Sequence, residues 1–440
     1  MNLSESLSIL SNKLSSIILS ETELTTAHLT HPEDIIVMKG SEGLENALDR
    51  MTSTLQQPEQ ATIKWDGSPA LIFGNGPDGK FRVMDKHMFD KVDDSGRNVF
   101  SPKQFAQYDV NRGVDRGTMI QDITNLWPGL QKATPNTPGY YWGDVLFGAP
   151  LTDTNGFYIF RPNPTGIEYK IQANSPFAQQ NIKGKRAGIA VHQFIPADAH
   201  QKALEANIEA KRRGSNEKYV ATMFSQSLNG GLGNLQVSPK SSIAILPSKM
   251  AITPEMNTAG WDDAIERVKQ MLAPLAPSID KFVAGIPLAN ITTNNAFKGY
   301  LTSYINYEVR KIAPSLSASK TPKQRDAVIN NALKMMGKDF MNYVQQKLDT
   351  NAKMPDNNKQ MILNHIKANQ KGMLNLYRVW AEVYKLKMHV YNDLDVAGKQ
   401  SPVKGYLQGG AESQEGYVAH GVKYVDRLGG FSAQHLGGRG

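Results

Sequence analysis

The 440-residue chain contains no cysteine. That absence excludes disulfides, zinc–cysteine sites and thiol catalysis, so packing must hold the fold and any covalent nucleophile must be another side chain. A reducing compartment is compatible with this. No stretch reaches the ~18 consecutive apolar residues of a bilayer-spanning helix, so no membrane partner is expected. The first thirty residues, MNLSESLSILSNKLSSIILSETELTTAHLT, lack a basic start with a continuous apolar run and a small-residue cleavage site, and no secretory signal is read there. There is no repeat of fixed period, which argues against solenoids and propellers. The nine histidines show no H-E-x-x-H spacing, so His192, His389 and His420 read as packing or surface residues before metal ligands. LNGGLGNLQ lacks the Gly-Lys-Ser/Thr ending of a Walker loop and reads as a flexible loop.

The composition is 40% hydrophobic and 20% charged, which is that of a folded globular protein, and the length suits two or three domains. The net charge of +8 is unevenly placed: Lys298 to Lys387 holds sixteen Lys or Arg against six Asp or Glu, a surplus of ten. A local surplus of this kind suits contact with a polyanion, because Lys and Arg displace condensed counterions from phosphates. A solubilising helix surface is the equal alternative.

Hydrophobic periodicity changes three times along the chain. Residues 1–57 read as largely helical, with Ser41 as an N-cap before Leu44, Ala47, Leu48 and Met51. From 58 to 250, TIKW, ALIFG, KFRVM, YYWGDVLFG, GFYIF, GIEYKI, AGIAVHQF and SIAIL read as strands separated by turns, and PADAHQKALEANIEAKRR as a helix. Between 251 and 400 helical spacing dominates, over 259–273, 290–312, 322–349 and 355–391, and this block carries the basic surplus. Tyr300, Tyr304, Tyr307 and Tyr343 lie there at helical spacing and read as core. Residues 401–440 return to alternation in EGYVAHGVKYVDR. The expected fold is therefore α+β, with a helical insertion in a domain whose first and last parts meet.

Ile63-Lys64-Trp65-Asp66-Gly67 places a lysine at the end of a predicted strand, an acid two residues on, and a glycine where the chain turns. A lysine amine attacks phosphorus only when unprotonated, and its ordinary pKa is about 10.4, so burial, neighbouring cations or a metal must assist. Asp66 would work against this, and is better cast as a ribose or cation contact. By itself the tetrapeptide reads first as a surface strand ending in an Asp-Gly turn, and other segments must carry a catalytic reading.

The K-x-D-G of Lys64 to Gly67 resembles the first signature of the covalent nucleotidyltransferase superfamily of ATP-dependent DNA ligases, RNA ligases and capping enzymes. Further segments resemble the family's other signatures in chain order: Gly143-Asp144-Val145-Leu146-Phe147, AGIAVHQF with His192 or Phe194 as the base-stacking member, Glu415-Gly416-Tyr417-Val418, and Lys423 in VKYVDR. The stretches HPEDIIV, KWDGSPALIFG and VKYVDRLGGFS are also similar to nucleotidyltransferase-like proteins of large tailed bacteriophages. The resemblance implies an antiparallel-sheet adenylation core and Lys64 as the residue transiently adenylated, with Lys423 on the departing phosphates. Ile63, Asp66, Gly67, Asp144, Lys170, His192, Phe194 and Glu415 would line the nucleotide, and Asp144 and Glu415 would serve Mg2+. Glu168 shares a face with Lys170, and Lys86 and Arg82 are lesser candidates.

The chain departs from the family pattern in four places. Ser68-Pro69 follows where many ligases carry an arginine, and Asp144 stands for glutamate. The fifth signature's paired lysines reduce to Lys423, with Arg427 as a deputy. Only thirteen residues follow Arg427, which leaves no room for a C-terminal OB domain. The expectation is an ATP- and Mg2+-dependent polynucleotide ligase, more RNA-ligase-like than a standard DNA ligase. It would act as a monomer on RNA or DNA with a 5′-phosphate end, in the cytoplasm of an infected cell if phage-encoded. The alternative is a nucleic-acid-binding or virion-associated protein on the same fold without catalysis.

Overall fold

The computed structural model describes residues 30–91, 97–163, 166–212, 218–287, 289–319, 321–406, 412 and 414–429. The helix expectation for 1–29 lies outside the described residues. In chain order the strands are β1 (Thr62–Lys64), β2 (Ala70–Asn75), β3 (Phe81–Met84), β4 (Gly139–Phe147), β5 (Asp153–Thr154), β6 (Phe157–Phe160), β7 (Glu168–Gln172), β8 (Gly188–Ile195), β9 (Gln226–Ser227), β10 (Ala244–Pro247), β11 (Val403–Tyr406), β12 (Gly416–Ala419) and β13 (Val422–Tyr424). Helices outnumber strands, and the sheets are mainly antiparallel, so the chain is α+β. Among the described residues no helix is long and apolar enough to cross a membrane.

One compact unit comprises Gly67–Leu151 and Gln180–Pro247. Its sheet runs β10-β8-β4-β2-β3 with β9 on β8, and only β10 and β8 are parallel. The helices Pro102–Asn111 and Gly117–Ala133 belong to it, in a stretch whose sequence reads as strands and loops. Pro128 and Gly129 inside the second helix weaken its local signal. Gly129 is needed there for packing, because a Cβ would lie 2.4 Å from Ile243 Cγ1. Ile123, Leu126 and Leu130 are fully buried in the same cluster as Phe73 and Val83, and Trp127 meets Phe81 edge-on with ring centroids 5.5 Å apart.

The other unit comprises His31–Asp66, Thr152–Gln179 and the chain from Ser248 onward. It holds two sheets, β1-β12-β13 and β11-β7-β6-β5, all antiparallel. The basic helical stretch is here, in the same unit as β1 and β12. The expected helix over 322–349 divides into Pro322–Met335 and Phe340–Asp349, because Gly337 adopts φ 87°. The one over 355–391 divides at Asn369 into Asp356–Ala368 and Gln370–Gly398. Helix Gln370–Gly398 buries Leu376, Tyr377, Trp380 and Val383. Tyr304 is fully buried, with Tyr377, Phe340 and Tyr343 at ring centroid distances of 5.1, 5.2 and 5.5 Å, so this aromatic group is core.

Ser41 does not cap its helix. Helix Pro32–Lys39 ends at Gly40, whose φ of 65° turns the chain directly into helix Ser41–Gln56 and leaves no extended residue for an N-cap. The carboxylate of Asp280 takes over that role, accepting from the Ser41 N–H and Oγ at 2.7 Å each.

Candidate functional site

β1 holds three residues, and its Ile63 N–H donates to the Ser248 carbonyl at 2.8 Å. The strand stops at Lys64 because the next residues are tied elsewhere. Trp65 is buried beside Tyr169, with ring centroids 5.2 Å apart, and the Asp66 N–H donates to the Tyr169 hydroxyl at 2.8 Å. Antiparallel pairing puts Lys64 opposite Gly416 and Thr62 opposite Val418, and Val418 in turn lies opposite Lys423. Lys64 and Thr62 from one end of the sequence and Val418 and Lys423 from the other thereby share one small sheet. A glycine opposite Lys64 leaves the lysine unobstructed by a facing side chain.

Lys64 Nζ donates to Glu415 Oε1 in an ion pair. The second oxygen, Glu415 Oε2, is shut off from solvent and has no hydrogen-bond partner among the described residues. Burial, opposed by Lys64, pushes the Glu415 carboxyl up to about 7. Lys423 is half-buried and has no ion-pair or hydrogen-bond partner among the described residues. Burial, reinforced by the charge of Lys64, pulls its ammonium down to about 8. Both groups therefore have their protonation equilibria close to neutrality.

A further residue joins them that the sequence had not marked. His31 immediately precedes helix Pro32–Lys39. The residue as a whole is half-buried, and its Nδ1 is closed off from solvent and finds no hydrogen-bond partner among the described residues. Burial, followed by the charges of Arg427, Lys387, Lys423 and Lys64, holds the imidazole neutral well below the usual histidine range. Two acids of the same helix balance the rear of this cluster. Glu33 Oε1 receives Lys387 Nζ at 2.6 Å, and Asp34 receives Arg427 Nη1 at 2.7 and 2.8 Å. Arg427 is thus committed to Asp34, with Nη2 on Asn306 at 3.0 Å, and does not stand as the deputy phosphate ligand expected from the sequence. The sequence sign of this wall was HPED, a histidine before a Pro-initiated helix with two acids in its first turn.

The other expected site residues fall as follows. Ile63 is a buried strand residue. The Asp66 carboxylate accepts from the Ile167 N–H at 2.9 Å, and Gly166 lies so close that a Cβ there would be 1.6 Å from Oδ2. Lys170 pairs with Glu168 at 3.2 Å and lies over the Tyr406 ring at 4.8 Å, and makes no hydrogen bond or ion pair with the Lys64 cluster among the described residues. In the unit that begins at Gly67, a Cβ on Gly67 would lie 2.3 Å from Asp144 Cβ, so only glycine fits beside β4. Asp144 Oδ2 is 3.2 Å from His192 Nε2, and the His192 and Trp142 rings are 5.9 Å apart. Lys86 Nζ lies 5.6 Å over Trp142. Phe194 is committed to packing, edge-on to Tyr141 at 5.3 Å and filling the space that Gly139 leaves. Arg82 is held by Asp78 at 2.7 Å and by the Arg97 and Lys80 carbonyls. Among the described residues no three His, Asp or Glu side chains converge as a ready-made metal-ligand group.

No curated protein matches the chain, and no solved structure does. A family profile does match, over residues 26–436, which include every member of the Lys64 cluster. The chain belongs to the family of unknown function DUF6267.

Proposed function

We propose that the protein is a covalent nucleotidyltransferase that joins polynucleotide ends, with Lys64 as the nucleophile. The observation that carries this reading is the pairing of Lys64 with Glu415, a carboxylate whose proton affinity is raised, beside the partnerless cation Lys423. Transfer of a proton from Nζ to Glu415 frees the lysine lone pair. The amine then attacks the α-phosphorus of ATP, forming a nitrogen–phosphorus bond as the bond to the bridging oxygen breaks and pyrophosphate departs. Lys423 offsets the charge growing on the leaving group. The adenylyl group passes next to a 5′-phosphate, and a 3′-hydroxyl displaces AMP to seal the ends.

The residues suit Mg2+ in one respect: Glu415 Oε2 is a buried carboxylate oxygen without a partner, and magnesium is commonly held by one or two carboxylates together with substrate phosphates. Such an ion would supply charge neutralisation on the triphosphate.

The experiment is a sealing assay on nicked and single-stranded RNA and DNA, each with a 5′-phosphate, run with wild type and Lys64→Ala. Joining of RNA by the wild type alone supports the reading; joining by neither protein contradicts it. A second reading, a polynucleotide-binding protein without catalysis, draws on the exposed Lys298, Arg310, Lys323, Lys334, Lys338 and Lys347 of the helical stretch. It requires salt-sensitive binding that Lys64→Ala leaves unchanged.

A further inference from the structure

The four charges around His31 are not equivalent. Lys387 and Arg427 are bound to Glu33 and Asp34, and Lys64 is bound to Glu415. Lys423, the other cation whose charge reaches His31, alone of the four makes no ion pair or hydrogen bond among the described residues. Within reach of these charges, His31 carries a shielded ring nitrogen with no hydrogen-bond partner among the described residues. A buried polar atom left without a hydrogen bond destabilises a fold, and a bound ligand that makes the missing bond removes that cost. Four cations act on that imidazole, so the ligand that suits it is an anion accepting hydrogen bonds from an imidazole and an ammonium together.

We propose that His31 and Lys423 form a docking point for the terminal phosphates of a polyphosphate ligand, with Arg427 and Lys387 acting through Asp34 and Glu33 as positioning residues. This rests on the reading of Lys64 as the site of nucleotidyl transfer, because the terminal phosphates of ATP are what must be held while the α-phosphorus meets the lysine.

The site predicts proton uptake. At pH 8 Lys423 is partly unprotonated, held so by burial, Lys64 and Arg427 against Glu415 and Asp34. His31 is neutral, held so by burial and the same cations. Bringing in a polyanion reverses the local field, and both groups then favour their protonated forms.

Calorimetric titration of the full-length protein with inorganic tripolyphosphate, at pH 8 in two buffers of different ionisation enthalpy, tests this directly. Binding with net proton uptake is expected, weakened about tenfold by His31→Gln and about thirtyfold by Lys423→Met, with Lys423→Arg restoring most of the affinity. Circular dichroism of each variant separates lost folding from lost binding. Absence of tripolyphosphate binding, or binding without proton uptake that both variants leave unchanged, would overturn the proposal. If wild type forms a Lys64-linked adenylate yet shows neither effect, the docking point is wrong while the transferase reading stands. If tripolyphosphate binds as described and no adenylate forms, the reverse holds.

Discussion

Lys387 and Glu33 form an ion pair in which neither side chain has any solvent exposure, with Nζ 2.6 Å from Oε1, and it fastens helix Gln370–Gly398 to helix Pro32–Lys39. Arg427 adds a second contact to Glu33 at 3.7 Å. Burial pushes the Glu33 carboxyl up and the Lys387 ammonium down, which is the mark of charges that have lost water and depend on each other.

Removing one member of that pair should therefore cost more than removing both. Lys387→Met is expected to destabilise the fold by about 3–5 kcal/mol, because Glu33 is left charged and dry. Glu33→Leu together with Lys387→Met should recover much of this. Urea denaturation of the single and double variants measures it, and equal losses in the two would contradict the account.

Lys423 carries a folding cost that depends on pH. Its pKa is lowered in the fold, so its contribution to stability is present above the unfolded lysine value and lost as pH falls through about 8. Lys423→Met should accordingly stabilise the protein at pH 7, by at most about 3 kcal/mol, with the gain fading as pH approaches the ordinary lysine range. Glu415 has the opposite sign: its raised pKa gives stability present below the usual carboxylate range and lost as pH rises through about 7. Thermal melts of wild type and Lys423→Met between pH 6 and 10 are expected to converge at the alkaline end; a constant difference would show that the charge plays no part.

In the proposed reaction the same two groups shape the rate: Glu415 would have to be ionised to take the lysine proton, and Lys423 protonated to offset phosphate charge. Self-adenylation measured as kcat/KM for ATP should therefore rise through about pH 7 and fall above about pH 8, a narrow bell. Glu415→Gln should lower the rate by about 10²–10⁴-fold and flatten the acidic limb. A flat profile in wild type would remove Glu415 from the proton transfer.

Gly166 and Asp66 are coupled by space. Because a Cβ on Gly166 would overlap Asp66 Oδ2, Gly166→Ala must displace that carboxylate from the Ile167 N–H. It is expected to reduce adenylation as far as Asp66→Ala does, with little further loss in the double variant. Additive losses in the rate assay would show that Gly166 acts elsewhere.

Local chemistry made part of this legible in the sequence. The strand ending at Lys64 and the alternation around Gly416 and Val422 are short-range patterns, and the family resemblance ordered them into one sheet. The helix over Gly117–Ala133 is not legible locally, since Pro128 and Gly129 are both unfavourable inside a helix, and the reason for Gly129 is a contact with Ile243 far along the chain. His31 was hidden for a related reason. Its significance comes from a missing hydrogen bond and from cations supplied by Lys387, Lys423 and Arg427, none of them its neighbours in sequence. Asp280 as the cap of the helix after Gly40 is a third case in which a distant side chain replaced the local one.

The most direct test of the central claim is peptide-level mass spectrometry of the purified protein after incubation with ATP and Mg2+. The account predicts an acid-stable AMP adduct on the peptide carrying Lys64, absent in Lys64→Arg and reversed by added pyrophosphate. A correctly folded sample that acquires no adduct, or acquires it on another residue, would contradict it.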